Sequence, residues 1–319
     1  MDEKTSGLRK VIEDFKKAKQ AEGRSRDTVA FYYENLNRIA WFLETNGMAA
    51  DVHEIAVNHI RSLLVYVNTA VNRWQIGSTS SRKPGSKTTV DAYWRTFQGF
   101  FSWMVREEII DEKANPMKKI PRPDFQTKVW KDLPLPLIKK AAEACGDNYF
   151  KHVRNKAMIL VFLDTGIRLG GCYSMTVNDT NPETGLATVW EKGGQDVTVH
   201  LNETAKAALK EYLALRSRFS GNSLWLKDDG TPLTKSAIQS MIRRLRKYGM
   251  DLRWTPHSFR ATFAINLLRG GADTFTLQTL GGWKDLEMPR RYTRALTIED
   301  AIRVHKKASP ADRMEKETD

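Results

Sequence analysis

The chain has 319 residues, 41% of them hydrophobic, and a formal net charge of +13. That length suffices for one large domain or two ordinary ones, and the positive charge favours nucleic acid over a membrane surface as the partner, although a merely soluble basic protein also fits. The chain has only two cysteines, which excludes a disulfide framework. Its longest central apolar run covers only residues 157–163, and its N-terminus has no apolar signal region, which exclude a membrane-spanning segment. We therefore expect a soluble intracellular protein, in the cytoplasm or, for a prokaryotic source, at the nucleoid.

The spacing of apolar residues predicts four helices within the first 110 residues. Gly23 and Gly47 end the first two of them. A polar loop over 77–87, rich in glycine, serine and basic residues, separates the third helix from the fourth. Thr88 or Thr89 can cap the fourth helix, because a threonine hydroxyl accepts a hydrogen bond from an unpaired N–H of the first turn.

A proline-rich linker follows these helices. Five of the eleven prolines fall between Pro116 and Pro136, a density that prevents regular helix and stiffens an extended connection. The predicted divisions are a helical domain over 1–124, a second domain over 125–308 and a polar tail over 309–319.

The second predicted domain mixes helices with a β-hairpin. The segments "LPLIKKAAEACG" and "NYFKHVRNKAMILVFLDTG" are helical, and "GLATVWEKGGQDVTVHL" alternates around a Gly-Gly turn, as expected for a hairpin. Further helical segments continue to the amphipathic "TIEDAIRVHKKA". The predicted fold class is mainly α with a small antiparallel β-sheet.

Two segments of the second domain place a cation beside a turn. Arg168 follows the helix-ending Gly166 in "DTGIRLGG", where a solvated arginine near a helix C-terminus is the ordinary alternative. Lys192 lies at the predicted hairpin tip in "WEKGGQ", where the alternative is a surface lysine. Taken alone, each residue fits its ordinary alternative better than a functional role.

Two further segments carry pairs of residues at fixed spacing. His257 and Arg260 lie three residues apart in "TPHSFRATFA" and so share one helix face, which predicts an anion between them, although such a pair also arises by chance. Trp283 precedes Tyr292 by nine residues in "LGGWKDLEMPRRYTRAL". An aromatic pair at that spacing is, by itself, more often core than catalytic.

Together and in this order, the four segments resemble the tyrosine recombinase (phage integrase-type) family. Its pattern is an arginine after Thr-Gly, a lysine on a β-hairpin, H-x-x-R, a Leu-Gly-His or tryptophan variant, and a tyrosine nine residues later. The residues that match are Arg168, Lys192, His257, Arg260, Trp283 and Tyr292. The resemblance covers most of the chain and implies a helical core-binding domain and a mixed α+β catalytic domain that form a clamp around DNA.

The resemblance implies a site-specific recombinase that cleaves and rejoins DNA strands through a 3′-phosphotyrosyl intermediate at Tyr292, for integration, excision or resolution of DNA elements. It makes Lys192 the general acid for the leaving 5′-oxygen, and Trp283 a donor of its indole N–H to the phosphate. Neither a metal nor ATP is implied as a cofactor. One departure from the family pattern is Gly171, where the family often has glutamate, and "VTVHL" after the hairpin lacks the usual Arg and Pro.

The matching residue types suit this chemistry. In-line attack on a phosphodiester adds negative charge to oxygens that are already anionic, and the guanidinium groups of Arg168 and Arg260 can grip those oxygens in a fixed fork. His257 can hydrogen-bond the same phosphate or accept the tyrosine proton. A tyrosine with an ordinary pKa of about 10 needs such a cationic pocket or a base to act as a nucleophile near neutral pH.

Basic and polar side chains in both domains are candidates for DNA contact, chiefly with phosphates, which carry no sequence information. The candidates are Arg82, Lys83, Lys87, Thr88, Thr89, Tyr93, Arg95, Arg243, Arg244 and Arg246. The alternative for any one of them is a solvated side chain. By resemblance, the C-terminal helix docks into a neighbouring protomer to give a dimer on each DNA site and a tetramer in synapsis, whereas the alternative is packing on its own domain.

Three other functions stay open from the sequence. A type IB topoisomerase uses the same chemistry as a monomer, and a non-catalytic DNA-binding protein can keep the fold. A metal-dependent nuclease needs a ligand set that the sequence does not show. Because no small arm-binding domain precedes the first helical domain, we expect a recombinase of the transposon, integron-like or chromosome-resolution type.

Overall fold

The structure, a computed structural model, describes residues 7–49, 51–71, 73–74, 83–124, 129–191, 195–311 and 314. It divides into two compact units, Met1–Thr127 and Lys128–Asp319. Arg82 and Lys192, both predicted as site residues, lie outside the described residues. Within the described ranges, no helix combines the length and the apolar character needed to cross a membrane.

The first unit is helical over its described residues. Its elements are α1 (Leu8–Ala21), α2 (Arg26–Thr45), α3 (Val57–Thr69) and α4 (Lys87–Arg106), with short 3₁₀ helices at Val52–Glu54, Glu112–Ala114 and Pro116–Lys119. Phe15 of α1 lies at the centre of the core, with its ring edge-on to Tyr32 of α2 at 5.5 Å and to Trp103 of α4 at 5.2 Å between centroids. The apolar stripe of each helix thus faces a shared core, as helical periodicity requires.

The start of α4 differs from the prediction. Ser86 is the N-cap residue, and its hydroxyl accepts a hydrogen bond from the backbone N–H of Thr89 at 3.2 Å. Thr88 and Thr89 therefore lie inside the first turn, and the expectation that one of them caps the helix is wrong. A serine one residue before the helix satisfies an N–H that has no partner within the helix.

The second unit combines nine helices with one sheet in the part of the chain that is described. Its helices are α5 (Leu135–Glu143), α6 (Tyr149–Thr165), α7 (Leu169–Ser174), α8 (Glu203–Arg216), α9 (Lys235–Arg244), α10 (Pro256–Arg269), α11 (Thr274–Gly281), α12 (Glu287–Thr293) and α13 (Ile298–Ala308), and a 3₁₀ helix spans Leu245–Tyr248. Its strands are β1 (Thr180–Asn181), β2 (Leu186–Glu191) and β3 (Gln195–His200).

The three strands form an antiparallel sheet in the order β1-β2-β3. Ala187 of β2 pairs with Val199 of β3, and Val189 pairs with Val197. Ala187 and Val189 are buried, whereas Trp190, the next residue of β2, is exposed. This is the alternation expected of a strand with one face on the core. The predicted hairpin and the predicted fold class, mainly α with a small antiparallel sheet, are both confirmed.

Helix α6 runs through the main core of the second unit. Met158 and Phe162 are fully buried, and the ring of Phe162 lies 6.1 Å from that of Phe259 on α10. A second, smaller cluster is formed by α10, α11 and α12, where Phe263 and Leu277 pack among the same buried residues as Tyr292. The contact between α6 and α10 brings the C-terminal end of one helix to the N-terminal half of the other, and most of the predicted catalytic residues lie near it.

Candidate active site

A tight turn after α6 positions the first arginine. Gly166 has φ of +59°, and a Cβ at this position would lie 2.4 Å from Cδ1 of Phe263, so both the backbone conformation and the available space require glycine. The backbone carbonyl of Gly166 accepts a hydrogen bond from Nη1 of Arg260 at 2.7 Å. Arg168, two residues after this turn, is the N-cap residue of α7. The glycine of the Thr-Gly pair that precedes the arginine is thus a structural requirement of the site.

Arg260 is the most deeply buried cation of the site. Its side chain is on α10, and the residue is 2% exposed. In addition to the bond to Gly166, its Nη2 donates to the carbonyl oxygen of Gly281 at 2.5 Å. Burial, and then the neighbouring charge of Arg168, lowers the pKa of Arg260 to about 9. The group therefore stays cationic at neutral pH, and two of its five N–H donors are used to fix its plane.

The Gly-Gly-Trp segment places an indole against that guanidinium. Cζ of Arg260 lies 4.0 Å from the centre of the Trp283 ring, a cation–π arrangement. A Cβ on Gly281 would lie 1.8 Å from the Trp283 ring, and Gly282 has φ of +59° with its Cβ position 3.0 Å from Val197 of β3. Both glycines are needed for the chain to pass this close to the indole and to the sheet.

Tyr292 lies on α12 and is fully buried between two tryptophans. Its ring centre is 5.7 Å from that of Trp283 and 6.3 Å from that of Trp130. Among the described residues, no group meets its hydroxyl oxygen with hydrogen-bond geometry. Burial raises the pKa of Tyr292, while the positive charges of Arg260 and Arg168, and the close approach of the Arg260 side chain to the hydroxyl, act in the opposite direction. The hydroxyl is thus protonated in this state and faces two cations.

His257 lies in the first turn of α10, which begins at Pro256 after the Thr255 cap. His257 is exposed as a whole residue, but its imidazole packs against Trp130, whose ring centre lies 4.4 Å away at an interplanar angle of 65°. Desolvation, and then the charges of Arg260 and Arg168, lowers the pKa of His257. The imidazole is therefore neutral at neutral pH and able to accept a proton.

The structure brings together five of the six predicted catalytic residues. Arg168 is partly buried, and desolvation lowers its pKa while Tyr292 acts to raise it, which places the two groups within electrostatic reach. The residues that share the site are Arg168, His257, Arg260, Trp283 and Tyr292. The sixth, Lys192, is outside the described residues, and the strands on either side of it pair from Glu191 with Gln195.

Trp130 is a site residue that the sequence reasoning missed. It lies in the proline-rich linker, where no periodicity marks its partners, and only its contacts with His257 and Tyr292 reveal it. Gly171, at the position where the family often has glutamate, is buried inside α7 and provides no side chain to the site. Across the described residues, no group of three or more His, Cys, Asp and Glu side chains is arranged to hold a metal ion.

The residues predicted to contact DNA differ in their exposure to solvent. Lys83, Lys87, Thr88, Arg95, Arg243, Arg244 and Arg246 are exposed, and Thr89 is partly buried. Arg95 donates to the buried Asp91 at 3.0 Å, so its charge is partly neutralised. Tyr93 is 3% exposed, with its ring 5.4 Å from that of Trp74 in the core of the first unit. Because a core side chain cannot reach DNA, this burial argues against the contact predicted for Tyr93, and we withdraw it.

Comparison with known proteins identifies the family to which the chain belongs. The model of the phage integrase family matches residues 137–298, about half of the chain. The chain is 29% identical over 237 residues to tyrosine recombinase XerC of Thermodesulfovibrio yellowstonii, covering 72% of this chain and 78% of the relative. It is 28% identical to tyrosine recombinase XerC of Natranaerobius thermophilus, covering 84% and 88%.

Solved structures share the fold. The XerH site-specific recombinase bound to a palindromic difH substrate, in a post-cleavage complex, matches with a TM-score of 0.68 at 20% identity, over 96% of this chain and 84% of that one. A lambda integrase tetramer bound to a Holliday junction matches with a TM-score of 0.68 at 18% identity, over 88% and 78%.

The chain belongs to the phage integrase family of tyrosine recombinases and is an enzyme that breaks and rejoins DNA strands. The topoisomerase and non-catalytic alternatives receive no support from these relatives. The family match covers α6 to α12 entirely and most of α5, and it includes all six residues of the motif pattern.

Proposed function

We propose that Arg168, His257, Arg260 and Trp283 hold a scissile DNA phosphate against the nucleophile Tyr292. The observation that carries this assignment is the position of a buried tyrosine hydroxyl, without a hydrogen-bond partner among the described residues, facing two guanidinium groups. A protein tolerates two partly buried cations side by side when an anion binds between them. The guanidinium groups of Arg260 and Arg168 are cationic N–H donors of the kind that a phosphate takes.

The reaction follows from these positions. Tyr292 Oη attacks phosphorus and gives up its proton to the neutral His257, while the two arginines stabilise the charge that develops on the non-bridging oxygens. The bond between phosphorus and the 5′-oxygen breaks, leaving a 3′-phosphotyrosyl link and a 5′-oxygen that takes a proton from the proposed general acid Lys192. Attack of a 5′-hydroxyl on the phosphotyrosine reverses these steps and rejoins the strand.

We propose further that the substrate is duplex DNA with a specific recombination site. The XerC names of the relatives and the DNA-bound XerH structure support a site-specific reaction of the Xer kind. The first unit serves as the core-binding domain over 1–124 and the second as the catalytic domain over 125–308. The exposed cations at the start of α4 and the end of α9 provide phosphate contacts. The enzyme acts in the cytoplasm, at the nucleoid of a prokaryotic cell.

Assembly through the C-terminal helix is part of the proposal. Ile298 and Ile302 lie one turn apart on α13 and are 68% and 46% exposed, and Val304 is 37% exposed. An amphipathic helix with an uncovered apolar face is suited to dock on a partner. The tetramer of lambda integrase on a Holliday junction supports a tetramer in synapsis. We propose that this tetramer forms from a dimer on each site and that α13 joins the protomers.

Covalent capture tests the proposed function. The protein is incubated in EDTA with fragmented DNA from its source, denatured in SDS and examined for DNA that stays attached to protein, with Tyr292→Phe alongside. Adducts that form in EDTA and vanish in the variant support the phosphotyrosyl mechanism, and the trapped ends identify the site. DNA binding without adducts, even on nicked substrates that prevent religation, would overturn the catalytic assignment.

A further inference from the structure

Trp130 occupies a position that the matched motifs do not account for. It lies in the segment between the first unit and α5, and its ring packs against the small cluster that contains Trp283 and Tyr292. No element of regular structure holds it. The segment is nevertheless fixed by specific contacts, and these contacts determine where the indole lies.

Two contacts tie this segment to α10. The backbone N–H of Leu133 donates to Oγ1 of the fully buried Thr262 at 2.8 Å. Nη1 of Arg269 donates to the carboxylate of Asp132 at 2.5 Å. One contact is in the middle of the helix and the other at its C-terminal end, so the segment that carries Trp130 is fixed at two points against the helix that carries His257.

The indole contacts two groups that the proposed mechanism uses. It lies edge-on to the imidazole of His257 at 4.4 Å between ring centres, and tilted against the phenol ring of Tyr292 at 6.3 Å. Trp283 covers Tyr292 from a second direction at 5.7 Å. The phenol ring is therefore confined between two indoles, and one of these indoles also touches the proposed base.

The indole of Trp130 affects the pKa of His257 in a different way from the charged groups around the imidazole. Arg260 faces the imidazole from the same helix, and Arg168 faces it from the start of α7; both act to lower the pKa of His257. Tyr292 approaches from α12, and Lys192 of the hairpin is outside the described residues. Trp130 adds no charge, but its ring lies 4.4 Å from the imidazole between ring centres and so contributes to the burial, which is the largest cause of the lowered pKa.

We propose that Trp130 is a positioning residue, which holds the rings of Tyr292 and His257 in a fixed relative orientation so that the proton of the phenol can pass to the imidazole when DNA enters. This inference rests on the proposed roles of Tyr292 and His257. A misplacement of about 1 Å in an active site can cost roughly 100-fold in rate, so loss of the indole slows cleavage by about 10- to 100-fold.

The test compares Trp130→Leu, which keeps apolar volume but loses the flat ring, with Trp130→Phe, which keeps an aromatic wall. Tyr149→Ala is the control, since Tyr149 is an aromatic residue of the same unit that is 66% exposed at the start of α6. Single-turnover cleavage is measured on a nicked duplex that contains the captured site. We expect Trp130→Leu to be slow, Trp130→Phe to recover most of the rate, and all variants to bind the duplex equally.

A second readout separates positioning from simple loss of structure. The ¹³C-resolved titration of the His257 imidazole, assigned with His257→Asn, is followed in the full chain without DNA. We expect the midpoint to rise in Trp130→Leu, because water returns to the imidazole, to move back in Trp130→Phe, and to stay unchanged in Tyr149→Ala. A Trp130→Leu protein that keeps both the parental rate and the parental midpoint overturns the inference.

The two proposals fail in distinguishable ways. If Tyr292→Phe still forms adducts, the proposed nucleophile is wrong whatever the Trp130 variants do. If Tyr292→Phe abolishes adducts while Trp130→Leu cleaves at the parental rate with an unchanged His257 midpoint, the proposed function stands and the role of Trp130 is rejected.

Discussion

Nη1 of Arg260 and the carbonyl oxygen of Gly166 are 2.7 Å apart, although 94 residues separate them in the sequence. This bond joins the N-terminal half of α10 to the turn that precedes Arg168. Arg260 is bonded to the carbonyl of Gly166, and Arg168 follows Gly166 by two residues, so the positions of both arginines depend on this turn. A substitution that displaces the turn should therefore displace both cations.

Gly166→Ala should destabilise the second unit and stop cleavage. The new Cβ would meet the ring of Phe263 at 2.4 Å in a backbone conformation with φ of +59°. Strain of this kind and overpacking each cost about 1–3 kcal/mol. Urea unfolding measures the loss. Gly170→Ala is the matched control, because no atom lies within 4 Å of its Cβ position and its φ is not in the left-handed region; an equal loss in the control would contradict the argument.

Arg260→Lys should lower cleavage by about 100- to 1,000-fold, the usual cost of removing a preorganised donor from an oxyanion site. A lysine carries its charge at a single nitrogen and cannot donate to the carbonyls of Gly166 and Gly281 while also facing a phosphate. The measurement is the single-turnover rate at saturating DNA. The exposed Arg24→Lys is the control for a general effect of the exchange. A variant with the parental rate would show that planar, two-point donation is unnecessary.

Tyr292→Phe should lose every covalent adduct and yet unfold at the same or a slightly higher urea concentration. Its hydroxyl is buried and has no partner with full hydrogen-bond geometry among the described residues, and the Arg260 side chain approaches it without such geometry, so the parental protein bears a desolvation cost that phenylalanine removes. Such a group costs about 1–3 kcal/mol when it is left without a partner. A clear fall in stability would show instead that the hydroxyl has a structural partner.

The rate of cleavage should persist below the pH at which an ordinary histidine becomes charged. Desolvation, Arg260 and Arg168 lower the pKa of His257, so a falling pH protonates the imidazole later than in an exposed histidine. If neutral His257 is the base, the acid limb of the pH–rate profile lies below the ordinary value near 6.5. His257→Asn should remove that limb and slow cleavage by about 100- to 10,000-fold. An unchanged acid limb in the variant would exclude His257 as its source.

Arg269→Gln should loosen the C-terminal helix. Arg269 at the end of α10 donates to Asp132 at 2.5 Å and to Asp300 of α13 at 3.3 Å, so one guanidinium ties two other segments to the helix. Hydrogen exchange over 298–308 should become faster while α6 stays protected. Arg303→Gln is the control, because Arg303 also pairs with Asp300, at 3.6 Å, but is 58% exposed and on the same helix. Equal effects of both changes would contradict a special role for Arg269.

Some features of the fold follow from local sequence alone. The helical stripes, the alternation of β2 around Val189 and the spacing of His257 and Arg260 each depend on residues within one element, where backbone periodicity fixes which side chains share a face. These patterns predicted the fold class and the order of the motif residues. They also gave the family resemblance, since every motif segment is short and contiguous.

Other features depend on contacts that no local pattern encodes. The Ser86 cap replaced the predicted threonines because the choice among neighbouring hydroxyls depends on where the chain enters the helix. Tyr93 was expected to contact DNA, but the packing of α4 against the ring of Trp74 buries it. Helical periodicity predicts that a helix has an apolar face, but packing against neighbouring elements determines which of its residues are buried.

The sequence by itself determined which side chains we propose for the reaction: two arginines, a lysine, a histidine, a tryptophan and a tyrosine at spacings typical of one family. The tertiary structure alone decided how they meet. Leu133 reaches Thr262 across 129 residues and so brings Trp130 onto His257 and Tyr292. Such contacts form because burial of apolar surface and pairing of buried polar groups are satisfied over the whole unit at once, and no segment of the sequence carries that information alone.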